Sequence, residues 1–335
     1  MYKIKFFPSV LAAFFCLICW TWLLAGSSQA FCSSVSGLSC MHLQGTGALL
    51  AQNQSGLSLL GLQDPGKPSM QSCFKTPGSV KDMAYTQGYA YLADSEQGLL
   101  VIDVRDPLAC KQVSSYGKLQ DQVKQISAWG NLLLVDLARS GLSVMDISDP
   151  ARPRMIVALE EPILVKDLLL AQGYAYIAAL NGSLHVYDLQ DPGQPVKTAL
   201  LALQESPLQL GISQDRLYLT TRQGRMHILD LSSPDSPREM ASVKIGKCSV
   251  AALAGDYIYL VDQEKNFRIL DISDPSRPRK QAGFKLPRQA LALCIKDNAA
   301  YLHLLQNQFW VLNLQKMASG MNRVQIMDLN ALASK

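Results

Sequence analysis

What most limits the folds open to this sequence is that it repeats itself about every 42 residues. The segments GLSLLGLQDPGKP from Gly56, GLLVIDVRDPLAC from Gly98 and GLSVMDISDPARP from Gly141 are variants of one another. So are SLHVYDLQDPGQP from Ser183, RMHILDLSSPDSP from Arg225 and NFRILDISDPSRP from Asn266, and a worn copy, FWVLNLQ, starts at Phe309. The aspartate ahead of the Asp-Pro turn recurs as Asp103, Asp146, Asp188, Asp230 and Asp271, at steps of 43, 42, 42 and 41. Asn313 stands 42 residues further on, and Gly61 stands 42 before Asp103. A fixed period of this length marks a chain made by repeating one supersecondary unit.

A second signature precedes each copy: YAYLAD from Tyr89, LLLVD from Leu132, YAYIAA from Tyr174, LYLTT from Leu217, YIYLVD from Tyr257 and AYLHLL from Ala300. Turn pairs such as Gln87-Gly88, Gly130-Asn131, Gln172-Gly173 and Asp297-Asn298 come just before, and glycine and asparagine tolerate the positive φ of tight hairpins. Each unit therefore reads as four short strands, A to D. In the second copy these are Val80–Tyr85, Tyr89–Ala93, Leu99–Val104 and Lys111–Tyr116. Four antiparallel strands per unit of this length is the spacing of a propeller blade. The sequence predicts an all-β β-propeller of seven blades, starting near residues 38, 80, 123, 165, 207, 248 and 290. Because the first and last copies are worn, six full blades plus a partial one is the alternative. A single blade cannot bury both faces, whereas a closed ring can.

The units resemble LVIVD repeats, named for strand C, with the family pattern GYAYVAD…GLxVIDVSDPxxP. Here the matching stretches are GYAYLAD…GLLVIDVRDPLAC and GLSVMDISDPARP, and the resemblance runs from roughly Leu38 to Asn330. It implies a bacterial or archaeal β-propeller, mostly of the exported kind. It implies no defined reaction, so no catalytic residue is carried over.

The first thirty residues differ from the rest. Lys3 and Lys5 precede an apolar stretch from Phe6 to about Gly26, followed by Ser27-Ser28-Gln29-Ala30. This is the layout of a secretory signal cut after Ala30, leaving residues 31–335 as the mature chain. An uncleaved membrane anchor is the alternative, since about 20 apolar residues span a bilayer. Cys32 follows Gln29-Ala30-Phe31, which is not the pattern of a lipid-modified cysteine. Six cysteines lie beyond the signal, at positions 32, 40, 73, 110, 248 and 294. In an oxidising compartment they permit disulfides. Cys110, which replaces a loop proline in one copy, is the place to look for a local bridge. Cys248 and Cys294 read equally well as buried strand thiols.

A residue present once per blade is first explained at the level of the blade. The recurring aspartates are expected to accept backbone N–H groups in their own C–D turns, as Asx side chains do. Function is expected where blades differ. The A–B and C–D turns repeat closely, while the B–C and D–A connections vary in length and charge, and loops on a rigid scaffold are free to specify a surface. The candidate partner-binding residues on that variable face are Arg139, Arg222, Arg225, Glu264 and Lys265. The expected partner is a protein or a glycan outside the cytoplasm, in the periplasm, cell envelope or extracellular space. With a formal net charge of +4 and no basic run, nucleic acid is set aside.

Catalytic constellations are scarce. The histidines are His42, His185, His227 and His303, and there is no G-x-S-x-G, H-E-x-x-H, P-loop or EF-hand pattern. His185 and His227 share one strand-C position in successive blades, but a third metal ligand is not evident. Adjacent Glu160 and Glu161 read as solvated charge. No cofactor, metal or catalytic residue is assigned. A non-enzymatic binding module is the leading reading. A hydrolase or lyase at the channel mouth, and a structural part of an envelope assembly, are the alternatives.

Overall fold

The computed structural model describes residues 32–34, 39–52, 56–64, 67–116, 122–274, 277–314 and 324–328. Its strands form seven antiparallel sheets arranged as the blades of a propeller. The second blade has strands Val80–Thr86, Tyr89–Asp94, Gly98–Asp103 and Lys111–Tyr116, each within two residues of the sequence expectation. Strand A, the innermost, is Ser39–Gln44, Val80–Thr86, Val123–Trp129, Val165–Ala171, Pro207–Ser213, Cys248–Ala254 and Ala290–Lys296 in blades 1 to 7. The seventh blade is a full four-stranded unit, ending with Gln308–Asn313 and Val324–Asp328.

The continuous apolar runs of strand C follow from burial on both faces. Side chains alternate across a strand. In blade 2, Leu99 and Val101 pack into the core shared with blade 3, while Leu100 and Ile102 pack into the core shared with blade 1. The outer strand D is largely exposed, as in Lys111–Tyr116.

In blades 2 to 6 the C–D turn is closed in the same way. The Oδ1 atoms of Asp103, Asp146, Asp188, Asp230 and Asp271 accept the N–H two residues on, at 2.8–3.1 Å. The recurring aspartates are thus turn locks, as the sequence implied. Hydrogen bonds with the Arg105 guanidinium hold Asp103 down at about 2, against burial. Asp146 is also held at about 2, by the Ser148 hydroxyl and amide and then by Arg154.

In blades 1 to 6 strand A has no ladder partner on its inner edge, and its N–H groups must be satisfied otherwise. In blades 2 to 7 it bulges after its first residue. The residue after the bulge is Asp82, Gln125, Asp167, Gln209, Val250 or Ala292, and Cys40 holds this place in blade 1. Two of these carboxylates reach across to the next blade. Asp82 Oδ2 accepts Ile126 N at 2.8 Å, and Asp167 Oδ2 accepts Leu210 N at 2.6 Å. Gln125 donates to Lys166 O, and Ser127 Oγ accepts Leu170 N. The Cys40 thiol donates to Asp82 Oδ1 at 3.0 Å. Desolvation raises the Asp82 carboxyl, and it raises Asp167 to about 7 with help from the Asp82 charge.

The ring closes on the N-terminal strand. Cys32–Ser34 runs antiparallel to strand A of blade 7, on its channel side, making that sheet five-stranded. It also touches the inner strands of blades 1, 5 and 6. Its Cα register sets Cys32 opposite Cys294, and Cys294 is disulfide-bonded. Cys294 is therefore not the buried thiol that an apolar strand suggests. The expected local bridge at Cys110 is also overturned. Cys110 is a thiol with its sulfur 3.4 Å from Ser72 Oγ, and Cys73 beside that serine is a thiol as well. Cys248 is a buried thiol, raised to about 11 by desolvation. The first thirty residues lie outside the described ones.

Candidate functional site

The two faces of the ring are pinned by the same device with different residues. On the turn face, the residue after strand C donates its N–H to a carbonyl of the A–B turn. Those donors are Leu62, Val104, Ile147, Leu189, Leu231, Ile272 and Leu314, all aliphatic and all buried. On the loop face, the residue after strand B donates to the residue before strand A. Those donors are Ser95, Ala138, Leu180, Arg222, Gln263 and Leu305, at 2.8–3.4 Å. One backbone geometry thus carries six positions around the channel mouth with small, apolar, cationic and amide side chains. Leu164 and Leu180, joined by this bond in blade 4, are 74% and 54% exposed, and Leu305 is 44% exposed.

The five charged candidates divide on this face. Arg139, Arg222 and Glu264 are exposed. Lys265 is half-buried and adopts a φ of 71° in the B–C turn, where Asp262 Oδ1 accepts the N–H groups of Glu264 and Asn266. Arg225 does not stand as a lone rim charge, because its Nε lies 3.3 Å from Glu205 Oε1. Sequence reasoning missed Leu164 and Leu180. Their signal was an aliphatic residue at two loop positions where other blades carry Ser79, Gln122, Arg222 or Gln263.

The two strand-C histidines are held separately, each beside its own glutamate. His185 Nε2 is 2.8 Å from Ser183 Oγ, and its Nδ1 is 3.7 Å from Glu161 Oε2. This is a serine–histidine–carboxylate series, but its protons run the wrong way for a nucleophile. Ser183 Oγ donates to Asn181 Oδ1 at 2.6 Å, so its proton is not directed at the ring. The imidazole must then donate through Nε2, which leaves Nδ1 bare toward Glu161, the tautomer opposite to that of a working triad. Burial and then Lys197 lower the His185 pKa, so at neutral pH the ring has only one proton to place. Glu161 is not the solvated charge its sequence suggested. It sits in a loop rather than a strand, accepts Tyr187 OH at 2.6 Å, and pairs with Lys197 Nζ at 2.7 Å. His227 lies buried between Glu239 at 3.4 Å and Glu205 at 3.9 Å, and Glu205 also accepts the Thr221 hydroxyl. The two carboxylates face opposite nitrogens of the ring, so one ion cannot collect them. Among the described residues no group of three His, Cys, Asp or Glu is placed to hold a metal.

The repeat model of the LVIVD family matches residues 77–117, 122–159, 164–198 and 245–281. The chain carries four LVIVD repeats between residues 77 and 281. No curated protein matches it in sequence. Among solved structures the chain is similar to the β-propeller domain of Myceliophteria thermophila Cps50 (Swd1), with TM-score 0.59, 10% identity, and 84% and 94% of the two chains covered. It is likewise similar to Saccharomyces cerevisiae Sqt1, at TM-score 0.59, 10% identity, and 88% and 87% coverage. BamB from Moraxella catarrhalis gives TM-score 0.54, 11% identity, and 85% and 91% coverage. At these identities the likeness is one of fold.

In this chain the Asp-Pro motifs that define the repeat all lie on the turn face and all serve turn closure. Residues that differ between blades lie on the loop face, as at Leu180 and Arg222, in the channel-side series from Asp82 to Ala292, and at the start of strand B, where blade 1 carries Gly47.

Proposed function

We propose that this protein is an exported, non-enzymatic propeller that binds a protein partner outside the cytoplasm through its loop face. One observation carries the reading: six equivalent positions around the channel mouth share one backbone hydrogen bond yet differ in side chain, while the matching positions of the other face are uniformly aliphatic. Where only closure of the fold is required, the same residue type recurs. Where the type varies on an unchanged backbone, the side chains are available for recognition. Leu164 and Leu180 supply an apolar anchor, and Arg222, with Arg139 and Glu264 nearby in the ring, supplies directional charge, the mixture found at interface centres. The apolar, lysine-flagged first thirty residues support export.

The test is a capture from cell-envelope extract with the mature chain as bait, followed by affinity measurement on the recovered partner. A Leu164→Ser/Leu180→Ser/Arg222→Ala variant should fold normally and lose about 2 kcal/mol or more of affinity, the level of a hot spot. Undiminished binding by that variant would place the interface elsewhere. N-terminal sequencing of the mature protein should begin at Phe31.

A further inference from the structure

Blade 1 breaks the repeat at one cross-strand pair. The first residue of strand B and the last of strand C are Cα partners in every blade. They are Tyr89 with Asp103, Leu132 with Asp146, Tyr174 with Asp188, Arg216 with Asp230, Tyr257 with Asp271 and Ala299 with Asn313. In blade 1 both partners are glycine, Gly47 opposite Gly61. Neither has a positive φ, so the backbone does not call for glycine there. What the two glycines do is remove side chains. A cleft of about 940 Å³ opens at this place on the turn face, between blades 1 and 2 and reaching the A–B turn of blade 7. A Cβ on Gly61 would stand 2.6 Å from Gln63 Oε1 and 2.9 Å from Gln71 Nε2. The missing side chain is thus what lets two carboxamides converge over the strand.

The chemistry of the lining selects the ligand. Gln44, Gln63, Gln71 and Gln87 bring amide donors and acceptors to the wall. His42 and Tyr85 stack at the same cleft with ring centroids 4.8 Å apart. Burial and the nearby Lys296 charge push His42 down to about 4, so at neutral pH the imidazole both donates and accepts. The cations are already engaged. Arg105 grips Asp103 through two hydrogen bonds, and Lys296 Nζ donates to Gly45 O, with Asp297 also on the wall. A phosphate or an acidic chain would have to displace Asp103 from Arg105 and would meet Asp297 next to Lys296, while an apolar ligand would leave the Gln63 and Gln71 carboxamides against a surface that cannot hydrogen-bond. An uncharged polyol satisfies amides and lies on rings. We infer that this cleft is a binding site for a neutral oligosaccharide, of a size suited to a pocket of this volume. The inference is independent of the loop-face reading, because it concerns the opposite face.

The repeat itself supplies the blocking variant. Gly47→Tyr/Gly61→Asp installs the pair carried by blades 2, 4 and 6 and should fold at least as well as wild type. Chitotriose, maltotriose, cellotriose and the acidic control trigalacturonate are titrated by calorimetry against both proteins. At least one neutral trisaccharide should bind wild type saturably, and the double variant should weaken it about tenfold or more. The Leu164→Ser/Leu180→Ser/Arg222→Ala variant should bind it unchanged. Gln71→Ala, which alters one wall group only, covers the case in which the double variant fails to fold, and should weaken the same sugar. The inference fails if no neutral trisaccharide saturates. It fails equally if the blocked protein binds as well as wild type, or if only trigalacturonate binds.

Discussion

Two kinds of aspartate with opposite electrostatics build this ring. Asp103 and Asp146 sit at turns where amides and arginines stabilise the charge, and both are held at about 2. They contribute stability above the ordinary carboxylate range, and that contribution is lost as pH falls toward 2. Asp167 is the reverse case. Burial and the Asp82 charge outweigh the Leu210 and Leu168 amides and the Lys166 charge there, and it stands at about 7. Its folded form holds a proton that the unfolded chain has released, so its contribution is full below about pH 4 and is lost as pH rises through 7. Stability should therefore peak near pH 4–5 and decline toward pH 8, by on the order of 1–2 kcal/mol, since partial contact with the channel screens the full effect. Urea midpoints measured from pH 2 to 8 check this, and Asp167→Asn should flatten the curve between pH 4 and 7 while lowering stability at every pH, because the amide oxygen can accept only one of the Leu168 and Leu210 N–H groups that the two carboxyl oxygens accept. The turn aspartates were legible because they recur in a fixed motif. Asp82 and Asp167 recur too, in series with Gln125 and Gln209 at steps of 43, 42 and 42. They passed unnoticed because what they satisfy is the inner edge of another blade, which no local pattern displays.

At the scale of the strand, periodicity fixed almost everything except how neighbours accommodate one another. The lengths and order of strands followed from turn pairs and apolar runs, since each blade meets the same two flanking environments. The fit within a blade did not. Gly211 in strand A of blade 5 faces Tyr218 in strand B, and a Cβ there would stand 2.1 Å from the ring Cζ. A phenol ring anchored between two blades cannot swing away as a flexible side chain would. Gly211→Ala should cost about 1–3 kcal/mol through overpacking. Leucine holds the place of Tyr218 in blades 1 and 3, as Leu49 and Leu134. Adding Tyr218→Leu should therefore recover much of the loss, as thermal denaturation of the single and double variants will report. The same logic explains why the cleft in blade 1 looked like erosion of the repeat. Replacement of Tyr and Asp by Gly47 and Gly61 reads as decay until the two are seen to be partners across one ladder.

For the whole molecule, the count of seven blades was legible, but the means of closure was not. The four strands A to D of every blade come from contiguous chain, so none of them is exchanged between the first and last sheets. The tie is instead Cys32–Ser34, laid along the last blade from inside the channel, with Cys294 in a disulfide. The parity of the cysteines allowed a bridge, but only the register against Ala292–Cys294 points to its site. Cys294→Ala should cost about 2–4 kcal/mol, as should reduction of the wild-type protein, because the cross-link restrains a loop of almost the full chain. Non-reducing peptide mapping should recover Cys294 joined to Cys32. This arrangement also orders events in time. The residues of the clasp are synthesised well ahead of their partners, which come some 260 positions later. The clasp must therefore wait for its ladder partner until the seventh blade exists to receive it. A polypeptide cut short by one blade has nothing on which to fasten its beginning. It keeps a bare apolar blade face at each end of an open arc, a mark by which proteases and chaperones can tell an unfinished molecule from a finished one.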